Sequence, residues 1–217
     1  MWFWELSARG DRVAHYAFYP CAFEGPCLGF ARSHLPWEEG WLSGMFLHAS
    51  WLHILGNMLF LWIFGNNVED VMGRGRFLVF FLASGLVAAL TQAFVTLHFG
   101  GVGAASVPTV GASGAIAGVL GAYFVILPEA RVVTLLFGII PFPLRAWFFL
   151  GFWFVFELWQ GGFSLVQPQA GGGVAFAAHV GGFLFGATTV KIFQVRPPVY
   201  ARRTRKGNSM GPGHVGA

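Results

Sequence analysis

Residues 111–127, GASGAIAGVLGAYFVIL, form an uncharged apolar run that carries one serine, Ser113, near its start. Small residues recur along the run at Gly114, Ala117, Gly118 and Gly121. A stripe of small residues lets two membrane helices approach closely. The run therefore predicts a membrane helix that packs tightly against a second helix, with a serine in its first turn.

The whole chain has the composition of an integral membrane protein. Of its 217 residues, 56% are hydrophobic and only 10% are charged, and the mean hydropathy is +0.64. These values lie outside the range of soluble domains. A bilayer-spanning helix needs about 20 mostly apolar residues. The runs near that length are 45–64, 77–97, 111–127, 144–159 and 174–193.

We therefore predict an all-α membrane protein with five transmembrane helices in one bundle. The stretch 132–140 is too short to span a bilayer and is followed by Pro141 and Pro143. It is predicted to be a re-entrant or interfacial connection. The predicted organisation is an outer-side segment at 1–40, a transmembrane unit at 41–193 and a basic cytoplasmic tail at 194–217.

The distribution of basic residues predicts the orientation. Ten of the 13 Lys and Arg residues fall on one side of a five-helix topology: Arg74, Arg76, Arg131, Arg145, Lys191, Arg196, Arg202, Arg203, Arg205 and Lys206. Loops rich in Lys and Arg face the cytoplasm. The net charge of +4 is then explained by topology and by attraction of the tail to the lipid bilayer, and no nucleic-acid partner is predicted.

Cys21 and Cys27 lie in the stretch YPCAFEGPC, on the predicted outer side. They could form a small disulfide loop in an oxidising compartment or remain free thiols. No pattern of metal ligands surrounds them, and we predict neither a metal nor a cofactor.

Several polar residues interrupt the apolar run FLHASWLHILGNMLF, residues 46–60. A strongly polar side chain at membrane depth costs roughly 2.5 to 3.5 kcal/mol on insertion scales. His53 and Asn57 are four residues apart, about 40° around a helix, and share a face. His48 falls about 140° from His53 on an ideal helix, which suits a packing role. Interhelical hydrogen bonding is the alternative for all three.

Ser113 and His179 are predicted to meet. Gly182 and Gly186 form a second small-residue stripe, His179 stands one turn before it, and both helices run inward from the same side. A hydroxyl and an imidazole are the parts of acyl-transfer chemistry, and the free backbone N–H groups of a first helical turn can bind an oxyanion. Alternatively, Ser113 is a packing residue and His179 donates to a carbonyl.

Three motifs resemble those of the rhomboid intramembrane serine proteases. FLHASWLHILGN resembles the family's His-x4-His-x3-Asn helix, GASG its Gly-x-Ser-Gly motif, and AHVGGFLFG its Ala-His-x2-Gly-x3-Gly helix. The resemblance covers residues 41–193. It implies proteolysis of transmembrane segments of other membrane proteins in a bacterial inner membrane, with the active site opening to the outer side.

The resemblance also implies residue roles. Ser113 would be the nucleophile and His179 the general base, in a dyad with no acid partner. The oxyanion hole would comprise Asn57, His53 and the backbone N–H of Ser113. The implied structural residues near the site are His48, Gly111, Gly114, Gly182 and Gly186.

The sequence departs from the family at three places. Ala117 stands where many members carry a Tyr that stacks on the catalytic His, so another residue must orient His179. Trp41 is followed by Leu42 rather than by Arg. Residues 1–40 contain no uncharged run of 18, so the family's first helix is expected to be missing and the natural start to lie upstream.

Two other functions compete with proteolysis. An inactive family member would bind membrane clients, but it would be expected to lack Ser113 or His179. A proton-coupled transporter would use histidines and Glu157, but it would be expected to show repeated halves with broken helices. We assign Glu157 a structural role near the outer end of its helix.

Overall fold

The computed structural model describes residues 11–23, 27–28, 35–136, 139–166 and 175–198. The first ten residues and 199–217, which make up most of the predicted basic tail, lie outside the described residues. So does 167–174, in the predicted loop before the last helix.

Helices account for most of the described chain. In order they are α1 (Asp11–Tyr16), α2 (Trp37–Gly44), α3 (Trp51–Phe60), α4 (Asn66–Met72), α5 (Arg74–Val95), α6 (Gly101–Ala105), α7 (Ser113–Ile126), α8 (Ala146–Val166) and α9 (Phe176–Phe193). Two strands, β1 (Arg131–Leu136) and β2 (Ile140–Arg145), separate α7 from α8. A 3-10 turn covers Pro20–Phe23, and π-helical segments at Leu61–Gly65 and Thr96–Gly100 join α3 to α4 and α5 to α6.

The first predicted membrane helix begins at Trp51, not at residue 45. Ser50 has an extended backbone, with φ −159° and ψ 165°, and its hydroxyl accepts a 3.1 Å hydrogen bond from the His53 N–H. This N-cap gives a hydrogen-bond partner to one of the free N–H groups of the first turn, so the helix begins there. His48 therefore lies before the helix, so the predicted start at residue 45 is wrong and the helical angle of about 140° between His48 and His53 does not apply.

Two described helical runs are long and apolar enough to cross a bilayer. They are Arg74–Ala105, with an apolar window of mean hydropathy 2.1, and Phe176–Phe193, with 1.3. α7 is also apolar but has only 14 residues. The number of five spans therefore stays a prediction. Large apolar side chains are exposed on the outside of α3, α5, α8 and α9, as expected of a protein surrounded by lipid.

α7 is the central helix, and almost all of its residues are buried. It packs along α9 with the two backbones in contact. An added Cβ on Gly182 would overlap the carbonyl oxygen of Gly114, and one on Gly186 would overlap that of Gly118. The two glycine stripes thus give the close approach that their spacing predicts.

α5 packs against both of these helices through small polar side chains. The Ser84 hydroxyl donates to the Phe80 carbonyl oxygen at 2.8 Å, and a Cβ on Gly118 would overlap that hydroxyl. A Cβ on Gly181 would likewise overlap the Thr91 hydroxyl. The centre of the fold is therefore a tightly packed group of three helices, α5, α7 and α9.

The connection between α7 and α8 is an antiparallel β-hairpin, which corrects the all-α prediction. Its register runs from Arg131 opposite Arg145 to Leu136 opposite Ile140. Proline is tolerated on the edge strands of a sheet, and β2 accommodates both of its prolines. Because Leu144 belongs to β2, α8 begins at Ala146 rather than at residue 144.

The segment before α2 covers the loop that leads into α7. Phe18 and Thr109 form an antiparallel bridge with backbone hydrogen bonds of 3.2 and 2.8 Å. Cys21 and Cys27 are joined by a disulfide with their Cα atoms 5.4 Å apart, and both are buried. Of the two alternatives open from the sequence, the structure therefore contains the disulfide loop.

Candidate active site

Ser113 is the first residue of α7, and its Oγ lies 2.8 Å from Nε2 of His179. His179 lies in the first turn of α9, where its backbone N–H donates to the Ala175 carbonyl oxygen at 3.3 Å. The contact of α7 with α9 brings these two helix starts side by side. The pair that the sequence predicted to meet is therefore in hydrogen-bond contact.

Glu157 on α8 approaches the other side of the same imidazole. Its Oε2 lies 2.9 Å from His179 Nδ1, and only 13% of the His179 side chain and 10% of the Glu157 side chain are exposed. The sequence predicted a helix that ends at residue 159, with Glu157 near its outer end, whereas α8 continues to Val166 and Glu157 lies within it, beside His179. The resemblance implied no acid partner, whereas the structure contains a Ser–His–Glu chain of hydrogen bonds.

Trp153 precedes Glu157 by one turn of α8 and lies beside the same imidazole. Its ring centroid is 6.0 Å from that of His179, with 38° between the ring planes. Ala117 is 1% exposed and presents no ring at the position of the family's Tyr. The aromatic neighbour of His179 therefore comes from α8 rather than from α7.

Asn57 and His53 of α3 face the backbone just before Ser113. Gly111 has φ +106°, and an added Cβ there would lie 2.6 Å from His53 Nε2 and 3.4 Å from Asn57 Nδ2. Asn57 is buried, and its Nδ2 has no hydrogen-bond partner among the described residues. An unpaired buried donor is unfavourable, so this amide is available to a ligand of the site.

The contacts of His53 assign its proton. The Ala49 N–H donates to His53 Nδ1 at 3.4 Å, so in the neutral ring the proton lies on Nε2, the nitrogen that faces Gly111. His48 is 8% exposed and packs edge-on against His53, with ring centroids 5.2 Å apart. α3 therefore presents two N–H donors toward the start of α7.

A cavity of about 630 Å³ is lined by Ser113, His179, Asn57, His53, Trp153 and Glu157. The family model of the Rhomboid domain matches residues 36–195, well over half of the chain. The chain belongs to the rhomboid family. Rhomboid proteins are membrane-embedded, and the family includes serine proteases.

This rhomboid is similar to bacterial and mitochondrial relatives. It is 33% identical over 147 residues to Rhomboid protease GlpG of Pectobacterium atrosepticum, covering 67% of this chain and 45% of that one. It is 29% identical over 153 residues to Rhomboid protein 1, mitochondrial, of Saccharomyces cerevisiae, covering 67% and 39%. Presenilin-associated rhomboid-like protein, mitochondrial, of Bos taurus is 28% identical over 151 residues, covering 67% and 35%. The matched region is less than half the length of each of these relatives.

Sequence reasoning missed one further residue of this rhomboid's site, Gln92 on α5. Its Oε1 accepts a 3.2 Å hydrogen bond from the N–H of Ala178, the residue before His179. The N-cap of α9, Ala175, has no side-chain acceptor, so Gln92 caps the helix from a neighbouring element. The available signal was a polar amide within the apolar run 77–97.

Proposed function

We propose that the protein is an intramembrane serine endopeptidase that cleaves transmembrane segments of other membrane proteins. The observation that carries this proposal is the 2.8 Å contact between Ser113 Oγ and His179 Nε2. That contact lies in a cavity that also contains Asn57 and His53. A nucleophile in hydrogen-bond reach of its base, beside donors for the oxyanion, is the arrangement that acyl transfer needs.

The reaction proceeds in two halves. Ser113 Oγ attacks the peptide carbonyl carbon while His179 Nε2 takes its proton, and the carbonyl oxygen becomes an oxyanion. When the intermediate collapses, the C–N bond breaks and His179 returns the proton to the leaving amine. Water then attacks the ester on Ser113, again with His179 as base, and releases the new carboxyl end.

The oxyanion would be held by the Asn57 amide, by His53 Nε2–H and by the backbone N–H of Ser113. The first residues of a helix have backbone N–H groups without intrahelical partners, and the helix dipole favours negative charge there. Donors fixed before the reaction stabilise the developing charge without further reorganisation. The unpaired Nδ2 of Asn57 supports this role most directly.

The substrate must expose a peptide bond that a helix would otherwise protect. We therefore expect cleavage at segments with helix-destabilising residues and a small residue before the cut. The distribution of Lys and Arg supports a cytoplasmic C-terminus, with the site opening to the outer side of a bacterial inner membrane. The transmembrane unit would occupy residues 41–193.

Reconstitution of the full chain in liposomes with a panel of single-span substrates tests the proposal. Wild type should cleave at least one substrate, and Ser113→Ala should cleave none. Ser106→Ala is the matched control, because the Ser106 hydroxyl accepts from the Leu28 N–H, donates to the Val102 carbonyl oxygen and does not line the cavity. An inactive client-binding protein would bind substrates equally with and without the Ser113 hydroxyl and cleave none of them.

A further inference from the structure

We infer that Glu157 is a positioning residue, and that the reaction uses a Ser–His–Glu triad rather than a dyad. The inference rests on the proposed function, because it assigns Glu157 a part in activating Ser113 through His179. Trp153 completes the arrangement by lying against the same imidazole.

The two hydrogen bonds of His179 carry the inference. Nδ1 lies 2.9 Å from Glu157 Oε2, and Nε2 lies 2.8 Å from Ser113 Oγ. A carboxylate only accepts hydrogen bonds, so Nδ1 must carry the proton that it donates to Glu157. The lone pair of Nε2 then faces Ser113, which is the tautomer that can take the hydroxyl proton.

The hydrogen bond between His179 and Glu157 is largely buried, which strengthens its effect on the charge of His179. Both side chains are largely removed from solvent, and a buried carboxylate is costly unless it is paired. When His179 becomes an imidazolium during the attack, the carboxylate stabilises it through a charge-assisted hydrogen bond. Among the described elements, the groups around His179 are Glu157 on α8, His53 on α3, the neutral Ser113 on α7 and the neutral Gln92 on α5.

α8 is held against α9 by aromatic contacts, which fixes the position of Glu157. Trp153 lies 5.9 Å from Phe183 and 6.0 Å from His179 between ring centroids, and Phe154 stacks on Phe183 at 4.5 Å. Residues four apart lie on one helix face, so α8 presents a ring and a carboxylate to the same imidazole. Ala117 of α7 provides neither an aromatic ring nor a carboxylate, so the side chains that orient the His179 ring come from α8.

Glu157→Gln is the most informative change because it keeps the size of the side chain and removes its charge. A glutamine amide can donate to Nδ1, which favours the tautomer with the proton on Nε2. That tautomer does not accept the Ser113 proton. Glu129→Gln is the matched control, because Glu129 is 63% exposed and pairs with Arg145 on the hairpin at 3.2 Å.

The first measurement is the rate at which a fluorophosphonate labels Ser113 in the purified full chain. Labelling joins Oγ to phosphorus, expels fluoride and passes the hydroxyl proton to His179, so it needs no natural substrate. Glu157→Gln should lower the rate about 100- to 10,000-fold. Glu129→Gln should leave it unchanged. Glu157→Asp keeps the charge on a shorter side chain and should restore part of the rate.

The pH dependence of labelling separates positioning from a merely structural role. Because Glu157→Gln removes the negative charge beside the base, the acidic limb of the rate profile should move to lower pH in this variant. In Glu157→Asp it should stay near the wild-type position. With a cleavable substrate, kcat should fall while KM changes little, because Glu157 acts through its hydrogen bond to His179.

Nitrogen-15 NMR of histidine-labelled wild type tests the tautomer of His179 in the unsubstituted site. At neutral pH the His179 resonances, assigned by their loss in His179→Ala, should report a protonated Nδ1 and an unprotonated Nε2. A proton on Nε2 would overturn the triad. So would Glu157→Gln that labels at the wild-type rate with an unmoved pH profile. In either case, substrate cleavage by wild type that is lost in Ser113→Ala would show that the proposed protease function stands. Wild type that labels no faster than Ser113→Ala would overturn both proposals.

Discussion

Gly182 of α9 lies against the carbonyl oxygen of Gly114 of α7, so closely that an added methyl group would overlap that oxygen. Ser113 directly precedes Gly114, and His179 is three residues before Gly182. The backbone contact between two residues without side chains therefore determines how far the hydroxyl lies from the imidazole.

Gly182→Ala should damage both stability and activity. Overpacking of a close contact costs about 1 to 3 kcal/mol, and a 1 Å displacement of the reacting groups can cost about 100-fold in rate. Thermal unfolding in detergent and fluorophosphonate labelling measure the two effects. The control is Gly75→Ala, because nothing lies within 4 Å of a Cβ at Gly75. Equal results for the two variants would contradict the assigned role of the contact.

Ser113→Ala and His179→Ala should each abolish cleavage, and the double variant should lose little more. Residues that act as one unit show strongly non-additive effects. Rates of substrate cleavage in liposomes for the two single variants and the double variant measure this coupling. Substantial activity in either single variant would exclude the Ser113–His179 pair as the catalytic unit.

Asn57→Ala should lower kcat about 10- to 1000-fold, as for the loss of an oxyanion donor. The thermal midpoint should not fall, because the substitution removes a buried amide whose Nδ2 has no partner among the described residues. Asn66→Ala is the matched control, since Asn66 is exposed on α4 and its Nδ2 donates to the Trp62 carbonyl oxygen at 3.1 Å. Unchanged kcat in Asn57→Ala would remove it from the oxyanion hole.

His48→Ala should mainly reduce stability. The His48 ring is buried and packs edge-on against His53, so its removal leaves a gap beside a proposed oxyanion donor. Loss of buried packing of this kind lowers the free energy of unfolding by about 1 to 3 kcal/mol. Thermal unfolding and labelling at a low temperature separate the two quantities. A fully stable but inactive His48→Ala protein would mean that His48 acts in the chemistry.

Gln92→Leu should weaken the start of α9. Leucine removes the acceptor for the Ala178 N–H, and a buried donor left without a partner costs about 1 to 3 kcal/mol. Gln92→Glu keeps a side-chain oxygen and should retain more activity than Gln92→Leu. The kcat values of both variants, measured alongside their unfolding midpoints, test the role. Identical kcat values in Gln92→Leu and wild type would show that the cap does not position His179.

Part of this site follows from spacing along single elements. His53 and Asn57 share a face because they are four residues apart on one helix, and Ser113 and His179 each lie in the first turn of a helix that carries a glycine stripe. These relations depend on the helical repeat and on side-chain size, so the sequence alone predicts them. The β-hairpin escaped prediction because two prolines indicated a break, although edge strands accommodate proline.

The role of Glu157 depends on the tertiary structure. Its contact with His179 joins residues 22 apart on two different helices, and it requires a particular rotation of α8 about its own axis. No local repeat encodes that rotation, because it results from the packing of Trp153 and Phe154 against α9. The sequence by itself predicted the candidate site residues of α3, α7 and α9, because each lies at a fixed spacing along its own helix. The packing of α8 decided that a carboxylate joins them, because the orientation between helices is set by the sum of many contacts across the fold.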